Sequence, residues 1–150
     1  LGLDGVQKMS KSYNNYIEMA ASPQGISEQV MTAFTDPERK YRSDLGHPDI
    51  CNIFRLHKFF TPTRAEEIAS ECRTAGIGCV DCKKILAQSI SSSLEPFRER
   101  RVILASKPNY VTEVLAEGAN RAEVIAKETM KEVKEKMKLL QRIPKELASS

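Results

Sequence analysis

After residue 21 the apolar positions of this chain recur mainly at intervals of three and four, and no convincing apolar–polar alternation marks a strand. Leu1 to about Ala21 is turn-rich, with one short mixed passage, Tyr16-Ile17-Glu18-Met19. A first helix is predicted from Pro23 to about Thr35. Ser22 can accept from an unpaired amide at its start, and proline at the first helical position has no intrahelical bond to lose. Ile26, Val30, Ala33 and Phe34 share its inner face, and Asp36-Pro37 stops it. A second helix is expected from about Asp49 to Phe60, where Ile50, Ile53, Phe54, His57 and Phe60 share a face, so His57 is expected first as a core histidine. Thr63-Arg64-Ala65-Glu66 has the spacing of a capping box for a third helix reaching about Ala75, with Ala65, Ile68, Ala69 and Cys72 inward. Gly76 is placed for a left-handed cap.

Further along, a helix from near Val80 carries Leu86, Ile90, Leu94 and Phe97 inward, and Pro96 predicts a kink or restart. A shorter helix follows Pro108 to about Glu117 and breaks or bends at Gly118. The last runs from Ala119 to about Leu140, with Ile125, Met130, Val133, Met137 and Leu140 inward and Glu123–Lys127 and Glu132–Lys136 as exposed pairs. Pro144 and the Ala-Ser-Ser tail are expected to fray. The body is therefore expected to be all-α, a helical bundle without internal repeats.

Composition sets limits on this picture. The 150 residues can bury one ordinary core, too little for a nucleotide-binding sheet plus a second domain. The net charge of +3 comes from charges mixed along the chain, so it does not by itself announce nucleic-acid binding. Arg39, Lys40 and Arg42 crowd Tyr41 between Glu38 and Pro48; this passage is expected to be a solvated loop, with contact to phosphate or a base as the weaker reading. No apolar run approaches a membrane span and no leader pattern appears, which makes a soluble cytoplasmic protein the expectation.

The densest chemistry lies in Lys8-Met9-Ser10-Lys11-Ser12, two ammonium groups three residues apart with hydroxyls between and beside them. Lysines on flexible stems can reach polyphosphate oxygens and offset charge on departing pyrophosphate. Gly2 and Gly5 upstream permit tight turns. The pentapeptide resembles the KMSKS signature of class I aminoacyl-tRNA synthetases, and Leu3-Asp4-Gly5 with Tyr13-Asn14 resembles their tryptophan-specific branch. Thr35-Asp36-Pro37, Pro48-Asp49-Ile50-Cys51-Asn52, the run from Gly78 to Lys84 and Arg98-Glu99-Arg100-Arg101 extend the likeness in order along nearly the whole chain.

The resemblance implies ATP-dependent activation of tryptophan and its transfer to tRNA(Trp). In that scheme Lys8 and Lys11 grip ATP phosphates, and Met9, Ser10 and Ser12 complete the loop; ATP enters with Mg2+. It places residues 1–21 at the end of a Rossmann-type α/β catalytic domain and residues 22–150 in a helical anticodon-binding domain. No HIGH-like tetrapeptide, the partner signature, occurs here, so the chain is expected to be a C-terminal portion that is inactive alone, its parent a homodimer. Lys83, Lys84, Arg98 and Arg101 are candidates for tRNA phosphates, with a solvated helix face an equal reading. The reading from another class is a non-catalytic, metal-stabilised helical module that binds RNA or protein.

Cys51, Cys72, Cys79 and Cys82 form C-x20-C-x6-C-x2-C. An even thiol count in a cytoplasmic protein points to a metal rather than disulfides, though buried apolar cysteines stay open as a reading. Four thiolates can hold zinc or an iron–sulfur cluster. A single CxxC with two dispersed partners favours iron, and the resemblance implies a [4Fe-4S] cluster in a subset of the family, with zinc as the alternative.

Overall fold

The computed structural model describes residues 1–139. The described residues are helical and carry no strand: α1 spans Pro23–Thr32, α2 Asn52–Phe60, α3 Ala65–Arg73, α4 Cys79–Ala105 and α5 Pro108–Lys136, with short 3-10 turns at Lys11–Tyr13 and Pro62–Arg64. The chain divides into two compact units, Leu1–Val102 and the part from Ile103 onward.

The first unit holds the core. Ile26 and Val30 of α1, Ile53 and Phe54 of α2, Ile68 and Ala69 of α3, and Leu86, Ala87 and Ile90 of α4 are buried together, and Leu3 joins them from the N-terminal loop. The loop's base is thus part of the same hydrophobic cluster as the helices. Full burial of each large aliphatic side chain contributes about 1.5–3 kcal/mol, so the cluster outweighs any single surface pair.

The start of α1 is as expected, with the Ser22 hydroxyl accepting from the Gly25 amide at 3.1 Å. Its end comes earlier, at Thr32, because Ala33 is extended and the Phe34 amide donates to the Leu3 carbonyl at 2.8 Å. Phe34 is consequently exposed rather than inward. The second helix begins at Asn52, and the turn before it leaves Ile50 exposed.

No capping box forms at Thr63. That residue lies in the 3-10 turn, the Arg64 amide donates to the Thr61 carbonyl at 3.0 Å, and α3 starts without a side-chain cap. At the other end the left-handed residue is Ala75, φ 56°, not Gly76. The Gly76 amide reaches the Glu71 carbonyl at 2.7 Å and the Ala75 amide the Cys72 carbonyl at 3.2 Å, the two bonds of a Schellman cap one residue earlier than the glycine predicted.

Pro96 lies inside α4 without restarting it. Leu94 packs against the core, but Phe97 is exposed. In the second unit α5 runs unbroken through Gly118, where a Cβ would meet open space. Ile125, Met130, Val133 and Met137 are exposed and not inward, because no described neighbour covers that face; Leu140, Pro144 and the tail lie outside the described residues. The Glu123–Lys127 and Glu132–Lys136 pairs form at 2.8 and 2.7 Å.

Candidate functional site

The loop bearing Lys8 to Ser12 is built on two tight turns. The Gly5 amide donates to the Gly2 carbonyl at 3.0 Å, with Gly5 at φ 72°, a conformation that suits glycine. The Gly2 amide donates to the Gln7 carbonyl at 2.8 Å. One carboxylate oxygen of Asp4 accepts from the amides of Val6 and Gln7 at 2.9 and 3.0 Å. The Val6 amide, followed by the Asn15 side chain, holds the Asp4 carboxyl below its ordinary value, so it stays ionised.

Asn15 is the hub, only 4% exposed. Its Nδ2 donates to Asp4 Oδ2 at 2.6 Å and to the Lys8 carbonyl at 3.2 Å, while its Oδ1 accepts from the Ser10 amide at 2.8 Å. From α2, Asn52 Nδ2 donates to the Gly2 carbonyl at 2.8 Å and ties the loop's base to the helices. Lys8, Met9, Lys11 and Ser12 stand exposed on this supported backbone. The Ser10 hydroxyl accepts from the Ser12 amide at 3.2 Å and keeps its own proton to donate. The sequence identified the cations; Asp4, Asn15 and Asn52 as their supports were missed, since only hydrogen bonds across 11 or 50 residues reveal them.

The second cluster is formed by the cysteines, all four as free thiols. Burial pushes the Cys51 thiol up, and Cys79 adds to it. Burial raises Cys72 too, against the Arg39 cation, with Cys51 and Cys79 adding to the rise. Burial, then Cys51, Cys72 and Cys79, push Cys82 up to about 12. Cys51, Cys72 and Cys79 thus each act on the Cys82 thiol. Among the described residues, no three His, Cys, Asp or Glu side chains converge closely enough for a metal ion. A single tetrahedral zinc needs sulfurs about 3.8 Å apart, a consequence of its ~2.3 Å bonds.

Arg39 lies against this cluster. Instead of a solvated loop cation it is 9% exposed, with Nη1 3.8 Å from Cys72 Sγ and Nη2 donating to the carbonyls of Arg42 and Ile77 at 3.0 and 2.9 Å; its buried Nε has no partner. Arg42 Nη1 and Nη2 donate to the Ala75 and Gly76 carbonyls, so two guanidiniums tie the Tyr41 loop to the turn after α3. A Cβ at Gly46 would overlap Cys72 Sγ. The Arg39 Nε is thus an unpartnered buried donor beside Cys72, and Gly46 makes room for the Cys72 sulfur.

His57 is fully buried, as expected of a core histidine, but Nε2 lies 3.2 Å from Cys82 Sγ and Nδ1 lies 2.7 Å from Thr61 Oγ1. Burial holds its pKa below the ordinary value. Lys83 Nζ donates to the Met31 carbonyl at 2.8 Å and Lys84 lies 3.7 Å from Asp81, while Arg98 reaches back to the Ser91 carbonyl at 3.0 Å. Of the four candidate phosphate-facing cations, Arg101 alone makes no such contact among the described residues.

Comparison with known proteins bears on both clusters. The family described as tRNA synthetases class I (W and Y) matches residues 1–95. A Tryptophan--tRNA ligase of Aquifex aeolicus is 41% identical over 92% of this chain and 35% of its own length. That of Deinococcus radiodurans is 44% identical over 93% of this chain and 42% of its own. The chain thus spans well under half of these relatives. Among solved structures, the tryptophanyl-tRNA synthetase of Campylobacter jejuni complexed with ADP and tryptophan aligns at a TM-score of 0.81 and 31% identity, covering 93% of this chain and 43% of that one. The loop bearing Lys8 to Ser12 falls inside the matched span, and the chain belongs to the class I tRNA synthetase family for tryptophan and tyrosine.

Proposed function

We propose that the chain is the C-terminal portion of a tryptophan–tRNA ligase, which activates tryptophan with ATP and transfers it to tRNA(Trp). The observation that carries this reading is the pair of exposed ammonium groups, Lys8 and Lys11, on a backbone bound by Asn15 and Asp4 within the family-matched span. The relatives' names and the ADP and tryptophan of the Campylobacter structure support it.

In activation, a tryptophan carboxylate oxygen bonds to the α-phosphorus of ATP as the bond from that phosphorus to the bridging oxygen breaks, and pyrophosphate leaves with the electron pair. Lys8 and Lys11 accelerate this by holding the β- and γ-phosphates more strongly as that charge develops than in bound ATP. The Ser10 hydroxyl and the Met9 and Ser12 backbone complete the cradle, and ATP arrives with Mg2+ on its phosphates. Residues 1–21 form the end of the catalytic domain and residues 22–150 the tRNA-binding helical domain. The amino-acid pocket and most of the adenosine site belong to the rest of a cytoplasmic, homodimeric parent, so these 150 residues are inactive alone.

Cys51, Cys72, Cys79 and Cys82 hold a [4Fe-4S] cluster in this reading. When bound it would be a structural cross-link among the start of α2, the end of α3 and the first turn of α4, and its binding energy would become folding energy. The supports are the action of Cys51, Cys72 and Cys79 on the Cys82 thiol and the unpartnered Arg39 donor.

Pyrophosphate exchange by the full-length parent tests the proposal. Lys11→Ala and Lys8→Ala are each expected to lower the rate about 10²-fold or more, the usual consequence of removing a group that stabilises transition-state charge. Exchange at the wild-type rate in both variants would remove the two lysines from the mechanism, and a wild-type parent without exchange would leave the non-catalytic module as the better reading.

A further inference from the structure

We infer that Asn15, oriented by Asp4, is the positioning residue that holds the two ammonium groups of the phosphate loop in working register. The inference rests on the ATP-loop reading and adds a residue to it. Nearly everything around Asn15 in the loop is exposed, yet its own side chain is 4% exposed and uses every hydrogen-bonding position facing the loop. The Lys8 carbonyl and the Ser10 amide lie on either side of Met9, and one carboxamide binds both. The backbone between the two lysines is therefore clamped at its first half, while the 3-10 turn over Lys11–Tyr13 holds the second.

Asp4 decides which way the carboxamide faces. Its carboxylate is fixed by the amides of Val6 and Gln7, and it accepts from Asn15 Nδ2 at 2.6 Å. The reverse orientation would point Oδ1 at two acceptors, the Asp4 carboxylate and the Lys8 carbonyl, and Nδ2 at the Ser10 donor. Space for the amide comes from Gly2, whose Cβ, were one present, would overlap the Asn15 side chain. The clamp is thus a built feature, made by a glycine, an ionised carboxylate and a buried amide.

Its physical effect is preorganisation. The lysines keep their charge without Asn15, but a loosened backbone must be ordered again each time they meet the polyphosphate, which slows the step that needs both at once. Tryptophan binding, which uses none of these groups, is left alone.

The test uses the full-length parent with Asn15→Ala, Asn15→Asp, Asp4→Asn and the double swap Asp4→Asn/Asn15→Asp, alongside Lys11→Ala. Asn15→Ala is expected to lower the pyrophosphate-exchange kcat about tenfold to hundredfold with KM for tryptophan unchanged, while the thermal midpoint falls by what a lost buried hydrogen bond costs. Asn15→Asp sets two carboxylates against each other and leaves the Lys8 carbonyl without its donor, and is expected to lose about as much; the double swap restores the pair between positions 4 and 15 but not the donor to Lys8, and recovers only part of that loss. If Asn15→Ala does not fold, the comparison of Asn15→Asp with the swap decides alone. Asn15 variants within about twofold of wild type, a swap without recovery, or a loss accompanied by an equal rise in KM for tryptophan would overturn the inference while Lys11→Ala stays inactive. An active Lys11→Ala enzyme overturns the underlying ATP-loop reading instead.

Discussion

Asp36 shows how much one buried carboxylate can organise. Burial raises its pKa, but the amides of Glu38 and His47 and the His47 imidazole, with Oδ2 accepting at 2.7 Å from the amide and lying 3.0 Å from Nδ1, outweigh that and hold it below the ordinary carboxylate value. A carboxyl depressed in the folded state contributes stability above its unfolded pKa of 3.8 and loses it as pH falls through the folded value. Denaturation midpoints are therefore expected to drop below about pH 4, and Asp36→Asn to flatten that part of the profile while lowering stability at pH 7. An acid limb of equal slope in the variant would remove Asp36 from the account. At this scale the sequence was informative where chemistry is contiguous, as in Lys8 to Ser12. It was silent on Arg39, which lies in a polar passage yet is buried because backbone carbonyls of Arg42 and Ile77 accept its protons. Nothing local distinguishes such an arginine from a solvated one.

Among the elements, α1's start and α2's end at Phe60 were legible, whereas the start of α2, the cap of α3 and several helix faces were not. Ser22-Pro23 carries its own cap chemistry, so α1 begins where predicted. Glycine and proline proved weaker signals inside long helices. Gly118 lies within an unbroken α5 because its cost, about 1 kcal/mol against alanine, is small beside the ladder on either side. With open space at its Cβ position, Gly118→Ala is expected to stabilise α5 by about 0.5–1 kcal/mol, measured as a higher helix-melting midpoint by circular dichroism. A lower midpoint would mean that another part of the protein needs the bare backbone there. The inward stripe expected on the same helix is exposed in the described residues, since periodicity specifies a face but not what covers it.

For the whole molecule, the question is what joins the Lys8–Ser12 loop to the cysteines. Leu3 packs in the core cluster, and Asn52, adjacent to Cys51, donates to Gly2, so both candidate sites stand on the same packed helices of the first unit. Replacing any one of Cys51, Cys72, Cys79 or Cys82 by serine in the anaerobically purified parent is expected to abolish stoichiometric iron and sulfide and to lower the thermal midpoint. Wild-type protein without iron and sulfide would return the cysteines to the role of buried thiols. By itself the sequence determined the all-helical class, the start of α1, the exposed cations of the Lys8–Ser12 loop and the presence of four thiols, because each of these is written in adjacent residues or in a helical period. Tertiary structure alone decided that Asn15 clamps the loop, that Arg39 is buried beside Cys72, and which apolar faces are covered. Those outcomes depend on hydrogen bonds and packing between segments far apart in the chain, whose energies no local pattern encodes.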